Sequence, residues 1–96
     1  MKIIKLIKSP RKNKRFRVFL DNLTYYDFGL DTGSTYLDHH DKQKRDNYRA
    51  RHMGNDIEKH LIENFIESPA LFSYYLLWGD STDLKKNIEN LNKKLL

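Results

Sequence analysis

The sequence has no cysteine and no long apolar run, and these absences limit what the protein can be. Without cysteine it can form neither a disulfide nor a thiolate zinc site, so packing must hold the fold together, and a reducing compartment fits best. The longest apolar stretch, residues 70–78, contains Ser73 and two tyrosines and is far shorter than the roughly 18 residues that span a bilayer. Lysines interrupt the apolar residues at the start of the chain, which argues against a signal peptide. We therefore expect a soluble protein with no membrane contact.

Acidic residues are missing from the first 20 positions, which carry eight lysines and arginines. Residues 21–41 reverse this pattern with five aspartates and no lysine or arginine, and residues 42–51 are basic again. Such segregation gives the surface a directional field and favours contact with a polyanion. The opposite blocks could equally neutralise each other within the fold.

The length and the residue pattern predict one domain over residues 1–96, because 96 residues supply one core and not two. Residues 3–7 are rich in strand-forming side chains, residues 9–14 have turn chemistry, and residues 23–28 can form a third strand. Residues 15–20 alternate, which places Phe16, Val18 and Leu20 on one face of a strand. The opposite face would then carry Arg15, Arg17 and Phe19. We predict a β-meander over residues 1–35.

The remainder, residues 38–96, has helical patterns. A first helix capped by Asp38 should run to about Met53, and a second from Asp56 should place Ile57, Leu61 and Phe65 on one face. Ser68-Pro69 should open a third helix that ends at Gly79, and its apolar character makes it the predicted packing centre. A last helix carries an apolar stripe of Leu84, Ile88, Leu91 and Leu95. The predicted class is α+β, a small antiparallel sheet packed by three or four helices.

The predicted hairpin between residues 3 and 20 is the best candidate for a binding site. Five cations lie within seven positions: Arg11, Lys12, Lys14, Arg15 and Arg17. Phe16 and Phe19 are interleaved with them, and this combination suits phosphate contact with base stacking. Lys44, Arg45 and Arg49 of the first predicted helix would extend this nucleic-acid interface. The alternative is that a basic edge hairpin merely resists aggregation.

Catalytic and metal-binding patterns are weak. Asp38, His39, His40 and Asp41 include metal-ligand types, but the two histidines are adjacent and not spaced i, i+4 as one metal would need. Arginines 45, 49 and 51 could instead bind the acids of residues 21–41. No nucleophile motif or phosphate-binding loop occurs, so we predict no enzyme activity, no metal and no cofactor.

Several short segments together resemble a family of small basic proteins, without an assigned activity, encoded by giant double-stranded DNA viruses. These segments are His39-His40-Asp41, a basic stretch with Tyr48 that ends in Arg51-His52, the Ser68-Pro69 boundary and Leu76-Leu77-Trp78-Gly79. The resemblance covers residues 36–79, which leaves out the hairpin. It implies a viral origin and a place in the virion, or in the host cytoplasm or nucleus during infection, and it implies no reaction.

These observations predict a non-enzymatic viral structural or packaging protein that contacts nucleic acid, independently of sequence, through the hairpin and the first helix. The first alternative is a minor capsid or internal scaffold protein that binds viral structural proteins or a second copy of itself. A metal-assisted nuclease is the third.

Overall fold

The computed structural model describes residues 1–95 and has an N-terminal sheet followed by helices, as predicted for an α+β fold. Strands β1 (Ile3–Lys8), β2 (Lys14–Leu20) and β3 (Tyr25–Leu30) pair antiparallel in the order β1-β2-β3. The predicted β-meander is therefore confirmed. Residue 96, the end of the predicted helical part, lies outside the described residues.

The strands divide their side chains between two faces of the sheet. Val18 and Leu20 are buried on the inner face, and the register pairs Phe16 with Phe28, whose ring centroids lie 6.0 Å apart. Ile3 is also buried there, and an irregularity in the β1–β2 register follows it, which leaves Ile4 exposed. The predicted alternation of β2 is correct, because Phe16, Val18 and Leu20 face the helices while Arg17 and Phe19 lie on the outer face.

The predicted first helix is divided into α1 (Tyr36–His39) and α2 (Lys42–Met53). The helix is interrupted at His40, which adopts a left-handed conformation with φ of 56°. Asp41 is the N-cap of α2, because its carboxylate accepts hydrogen bonds from the backbone N–H groups of Gln43 and Lys44. The prediction of Asp38 as the cap was wrong: Asp38 lies within α1 and accepts a hydrogen bond from the backbone N–H of Thr35.

The apolar face predicted for the next helix is also wrong. Helix α3 (Asp56–Glu63) ends before Phe65, which has a left-handed φ of 51°. Ile57 is 75% exposed, whereas Ile62 is 1% exposed. Because the helix has only two turns, its orientation follows from where it packs, and Ile62 takes the buried position.

The segment that begins at Ser68-Pro69 forms the packing centre, as predicted. Ser68 caps α4 (Pro69–Phe72), and the chain continues as a π-helical turn, Ser73–Leu77. The buried side chains of this segment are Leu71, Phe72, Leu76 and Leu77. The Phe72 ring lies 6.0 Å from the Phe28 ring, so this segment covers the inner face of the sheet. Gly79 follows it, and this position requires glycine because a Cβ would collide with the Tyr75 carbonyl oxygen and the Asn87 side chain.

Helix α5 (Leu84–Lys94) packs its predicted apolar stripe on the core. Two of its asparagines also form hydrogen bonds to the backbone of other segments. The Asn87 amide is buried and donates hydrogen bonds to the carbonyl oxygens of Leu76 and Ser81. The Asn92 side chain accepts from the Ile3 N–H at 2.8 Å and donates to the Ile3 carbonyl at 3.1 Å, so it pairs with the edge of β1. Within residues 1–95, no helix is long and apolar enough to cross a bilayer.

Candidate nucleic-acid interface

The turn between β1 and β2 is fixed by its first residue. The Ser9 hydroxyl donates a hydrogen bond to the Asp27 carboxylate at 2.7 Å and accepts one from the Arg11 N–H at 3.1 Å. Asn13 takes a left-handed φ of 69°, a conformation that asparagine tolerates, and the Lys14 N–H bonds back to the Arg11 carbonyl. The tip therefore has a defined shape, and the side chains of Arg11 and Lys12 are exposed on it.

Arg17, predicted as a phosphate contact, forms an ion pair within the fold. Its guanidinium makes two hydrogen bonds to the Asp27 carboxylate, at 2.9 and 3.0 Å. Hydrogen bonds from Arg17, and less strongly from Ser9, lower the pKa of Asp27, although burial of the carboxylate opposes this. The same guanidinium lies 4.1 Å from the centroid of the Tyr25 ring. Arg17 therefore neutralises the acid beside it and supports an aromatic ring.

Arg15 fastens α1 to the sheet. Its guanidinium makes two hydrogen bonds to the Asp38 carboxylate, at 2.7 and 2.9 Å, and one to the Thr35 hydroxyl at 3.2 Å. These contacts hold the pKa of Asp38 well below its usual range, with Arg15 the main cause and Thr35 a smaller one. The opposite charge blocks of the sequence thus neutralise each other at Arg15 and Arg17, which was the alternative to polyanion contact.

Two arginines of α2, Arg45 and Arg49, also contact other residues of the fold. The Arg45 guanidinium lies 4.8 Å from the centroid of the Tyr36 ring and bonds to Asp46. Arg49 donates to the Trp78 carbonyl at 2.8 Å and to Asp80 at 3.0 Å. The acids that these arginines bind thus lie outside residues 21–41, contrary to the structural alternative predicted for them. Of the three residues predicted on this helix, Lys44 is exposed and forms no ion pair within residues 1–95.

The accessible cations of the hairpin are a different set from the paired arginines. Those that are exposed and make no ion pair in the described part of the chain are Lys5, Lys8, Arg11 and Lys12. Lys14, the remaining predicted contact, is half-buried and lines a cavity of about 230 Å³. Tyr48 and Trp78 line the same cavity and stack at 4.1 Å, and burial raises the pKa of Tyr48 to about 12. Within the hairpin, the accessible basic surface is therefore the tip and β1.

Aromatic side chains lie beside this basic surface, on the outer face of the sheet. The register places Lys5, Phe19 and Tyr25 in one row across the three strands, and Ile7, Arg17 and Asp27 in the next. The Phe19 and Tyr25 rings lie 6.0 Å apart, and Tyr25 is 52% exposed. Phe16, predicted to share this surface, instead packs against the core.

A family comparison covers the strands, α1 and nearly all of α2. The model of a protein family described as "Family of unknown function (DUF5754)" matches residues 4–52, which is 49 of the 96 residues. The chain belongs to this family. No curated protein and no solved structure matches it. The DUF5754 region contains the hairpin and the outer-face rows, whereas the packing centre and α5 follow it.

Two histidines of the DUF5754 region, His39 and His40, have local roles in the chain reversal between α1 and α2. The His39 Nδ1 atom accepts a hydrogen bond from the Asp41 N–H at 3.0 Å, and the His40 Nε2 atom lies 3.2 Å from the Leu37 carbonyl. Among residues 1–95, no group of three or more histidine and acidic side chains is placed to hold a metal ion.

Sequence reasoning missed three residues of the outer face: Lys5, Ile7 and Tyr25. The alternation in β3 could have identified Tyr25, because Tyr26 and Phe28 face the core from the same strand. Lys5 and Ile7 could not be assigned in this way, because the register irregularity between Ile3 and Lys5 changes which residues of β1 face outward.

Proposed function

We propose that this protein binds nucleic acid, independently of sequence, as a structural or packaging component without catalytic activity. The observation that carries the proposal is the set of exposed cations of the hairpin that have no ion pair within residues 1–95: Lys5, Lys8, Arg11 and Lys12. Arg15 and Arg17, by contrast, form ion pairs with Asp38 and Asp27.

The chemistry of these side chains favours phosphate contact over base reading. Lysine ammonium groups on flexible stems neutralise phosphates as point charges, and such contacts carry affinity with little sequence information. No acid occurs in the first 20 residues, and the cations of β1 and the tip offer several points of attraction to a phosphate backbone that follows them. A viral setting for this role rests on the resemblance to the proteins of giant viruses.

The salt dependence of binding tests the proposal. Parent protein is titrated into a labelled oligonucleotide over a series of salt concentrations, and the slope of log affinity against log salt reports how many phosphates the protein neutralises. Replacing Lys5, Arg11 and Lys12 together with alanine should weaken binding. The slope should fall by about 0.9 for each phosphate of duplex DNA that the variant no longer neutralises.

A charge-matched control comes from α5. Lys85, Lys86 and Lys93 are exposed, and each forms no ion pair in the described part of the chain. Replacing these three with alanine removes the same net charge from the helical side and should leave the slope close to that of the parent. Equal slopes for the two triple variants would contradict the assignment of the hairpin as the contact surface.

A minor capsid or internal scaffold protein is the second candidate function. Exposed apolar side chains favour it, because Leu23 is 94% exposed and Ile57 is 75% exposed. Single exposed apolar residues are common on protein surfaces, so this observation is weaker than the set of unpaired cations. If the parent protein shows no salt-dependent binding to any oligonucleotide, the first proposal fails and protein–protein contact becomes the better account.

A further inference from the structure

The outer face of the sheet carries apolar and aromatic surface that the core does not use. The core cluster and the side chains packed against it include Leu6, Phe16 and Tyr26 from the inner face, but not Ile7, Phe19 or Tyr25. Ile7 and Phe19 are half-buried, and Tyr25 is more than half exposed. Folding therefore leaves two adjacent rings open to a ligand.

The charges on this face are arranged for an anionic ligand. Asp27 is the acid in the two rows, and the paired Arg17 compensates its charge. Lys5 stands in the same row as the two rings and is exposed. Arg11 and Lys12 are exposed on the turn that joins β1 to β2. A ligand on the rings is thus flanked by cations that have no acid partner within residues 1–95.

We propose that this face binds single-stranded nucleic acid, with bases stacked on Phe19 and Tyr25 and phosphates held by Lys5, Arg11 and Lys12. The inference rests on the proposed function and names its substrate class. A base offers its flat surface to a protein ring only when it is out of a duplex stack, so exposed rings beside cations favour single strands. The Arg17 guanidinium lies over the Tyr25 ring and holds that ring in place.

The charge pattern distinguishes nucleic acid from an apolar protein partner. A protein surface that covers Phe19 and Tyr25 would also have to accommodate the exposed ammonium of Lys5 in the same row. Burial of that charge without an acid would weaken the contact. A polyanion with flat apolar bases matches both features of the face at once.

Three probes of equal length separate base stacking from phosphate attraction. Fluorescence anisotropy is measured with three probes: oligothymidylate, an abasic strand and a duplex. Each is about 15 nucleotides long, a length that fills typical single-strand sites. The abasic strand keeps the phosphates and lacks the bases. We expect the parent protein to bind oligothymidylate at least about 5-fold more tightly than the abasic strand, because each stacked base contributes measurably.

Variants then locate the stacking. Phe19→Leu and Tyr25→Leu keep an apolar side chain and remove the ring. Each should weaken oligothymidylate binding by about 5- to 100-fold and leave abasic-strand binding within about twofold. The matched control is Tyr74→Leu, which removes a half-buried tyrosine ring that lies near Arg49 on the helical side. This control should change neither affinity.

The outcomes are distinguishable. If the parent binds all three probes equally, nucleic-acid binding stands and the stacking inference is overturned. The inference is also overturned if oligothymidylate is preferred but both ring variants bind it as tightly as the parent. If the parent binds none of the probes, the proposed function fails and the inference fails with it.

Discussion

The two faces of the sheet have similar residues and different surroundings. On the inner face, the Phe16 and Phe28 rings lie 6.0 Å apart, and Phe72 of the helical layer covers Phe28. On the outer face, the Phe19 and Tyr25 rings have the same separation, and the neighbour of Tyr25 is a guanidinium. Aromatic content therefore does not distinguish fold from function here. Coverage by helices distinguishes the two faces, because the covered inner rings stabilise the protein and the uncovered outer rings are available to a ligand.

Removing one phenylalanine ring from each face should give the largest difference in stability. Phe28 is fully buried, so Phe28→Ala should reduce the free energy of unfolding by about 3 to 5 kcal/mol. Phe19→Ala should cost about 1 kcal/mol, because that ring packs mainly against its cross-strand neighbours. Denaturant unfolding measures both. Similar values for the two variants would mean that the outer face is also part of the core.

The helical layer depends on one buried polar side chain. Asn87 is 1% exposed and makes three hydrogen bonds, to the Leu76 carbonyl, the Ser81 carbonyl and the Ser81 N–H. Asn87→Ala should cost about 2 to 3 kcal/mol, because it leaves buried backbone groups without partners. Asn90→Ala on the same helix is the control and should cost less than about 0.5 kcal/mol. If both variants unfold at the denaturant concentration of the parent, the layer does not depend on this amide.

The ion pair of Arg15 and Asp38 predicts a pH effect. Because the folded-state pKa of Asp38 is lowered, its contribution is complete above the ordinary value of 3.8 and is lost as the pH falls toward the folded-state pKa. Asp38→Asn should reduce the free energy of unfolding by about 1 kcal/mol near neutral pH, since the pair is partly exposed. The difference between parent and variant should shrink progressively as the pH falls below 3.8, because the unfolded chain then binds the proton more readily than the folded one.

The check is a pair of unfolding curves, one at neutral and one at acid pH. Asp46→Asn serves as the control, because Asp46 is exposed and its partner Arg45 lies next to it in the sequence. A difference between the parent and Asp38→Asn that persists undiminished in acid would contradict an electrostatic origin.

The smallest expected effect on stability is at the hairpin tip. Arg11→Ala combined with Lys12→Ala should change the free energy of unfolding by less than about 0.5 kcal/mol, because both side chains are exposed. The same double variant should bind oligonucleotides more weakly at low salt. A clear loss of stability would show that the fold uses these cations, and the surface would lose its proposed role.

Local chemistry made much of the fold predictable. Strand alternation identified Val18 and Leu20 as inner residues, and the Ser68-Pro69 pair indicated the start of a helix. Both signals were readable because alternation and helix capping depend on residues that are neighbours in the sequence. The break at His40 was not predictable from the helical pattern, since a left-handed residue there lets the chain reverse between two helices. Ile62 was missed because α3 is too short for its periodicity to define a face.

The site was less predictable, because ion pairs join distant parts of the chain. The sequence shows that Arg15 and Arg17 precede a block of aspartates, but not that they bind Asp38 and Asp27. Once those pairs form, the predicted cluster of five cations is reduced to the exposed Arg11 and Lys12 and the half-buried Lys14. Lys5 joins them through strand pairing, which charge counting along the sequence does not include.

Backbone amide chemical shifts during a titration with oligothymidylate test most directly whether the outer face and the tip are the binding surface. The account predicts that the shifts concentrate in residues 4–7, 9, 11–13, 19 and 25, while the amides of α5 stay unchanged. Shifts that concentrate on α5 and the π-helical segment, with the outer face unaffected, would contradict it.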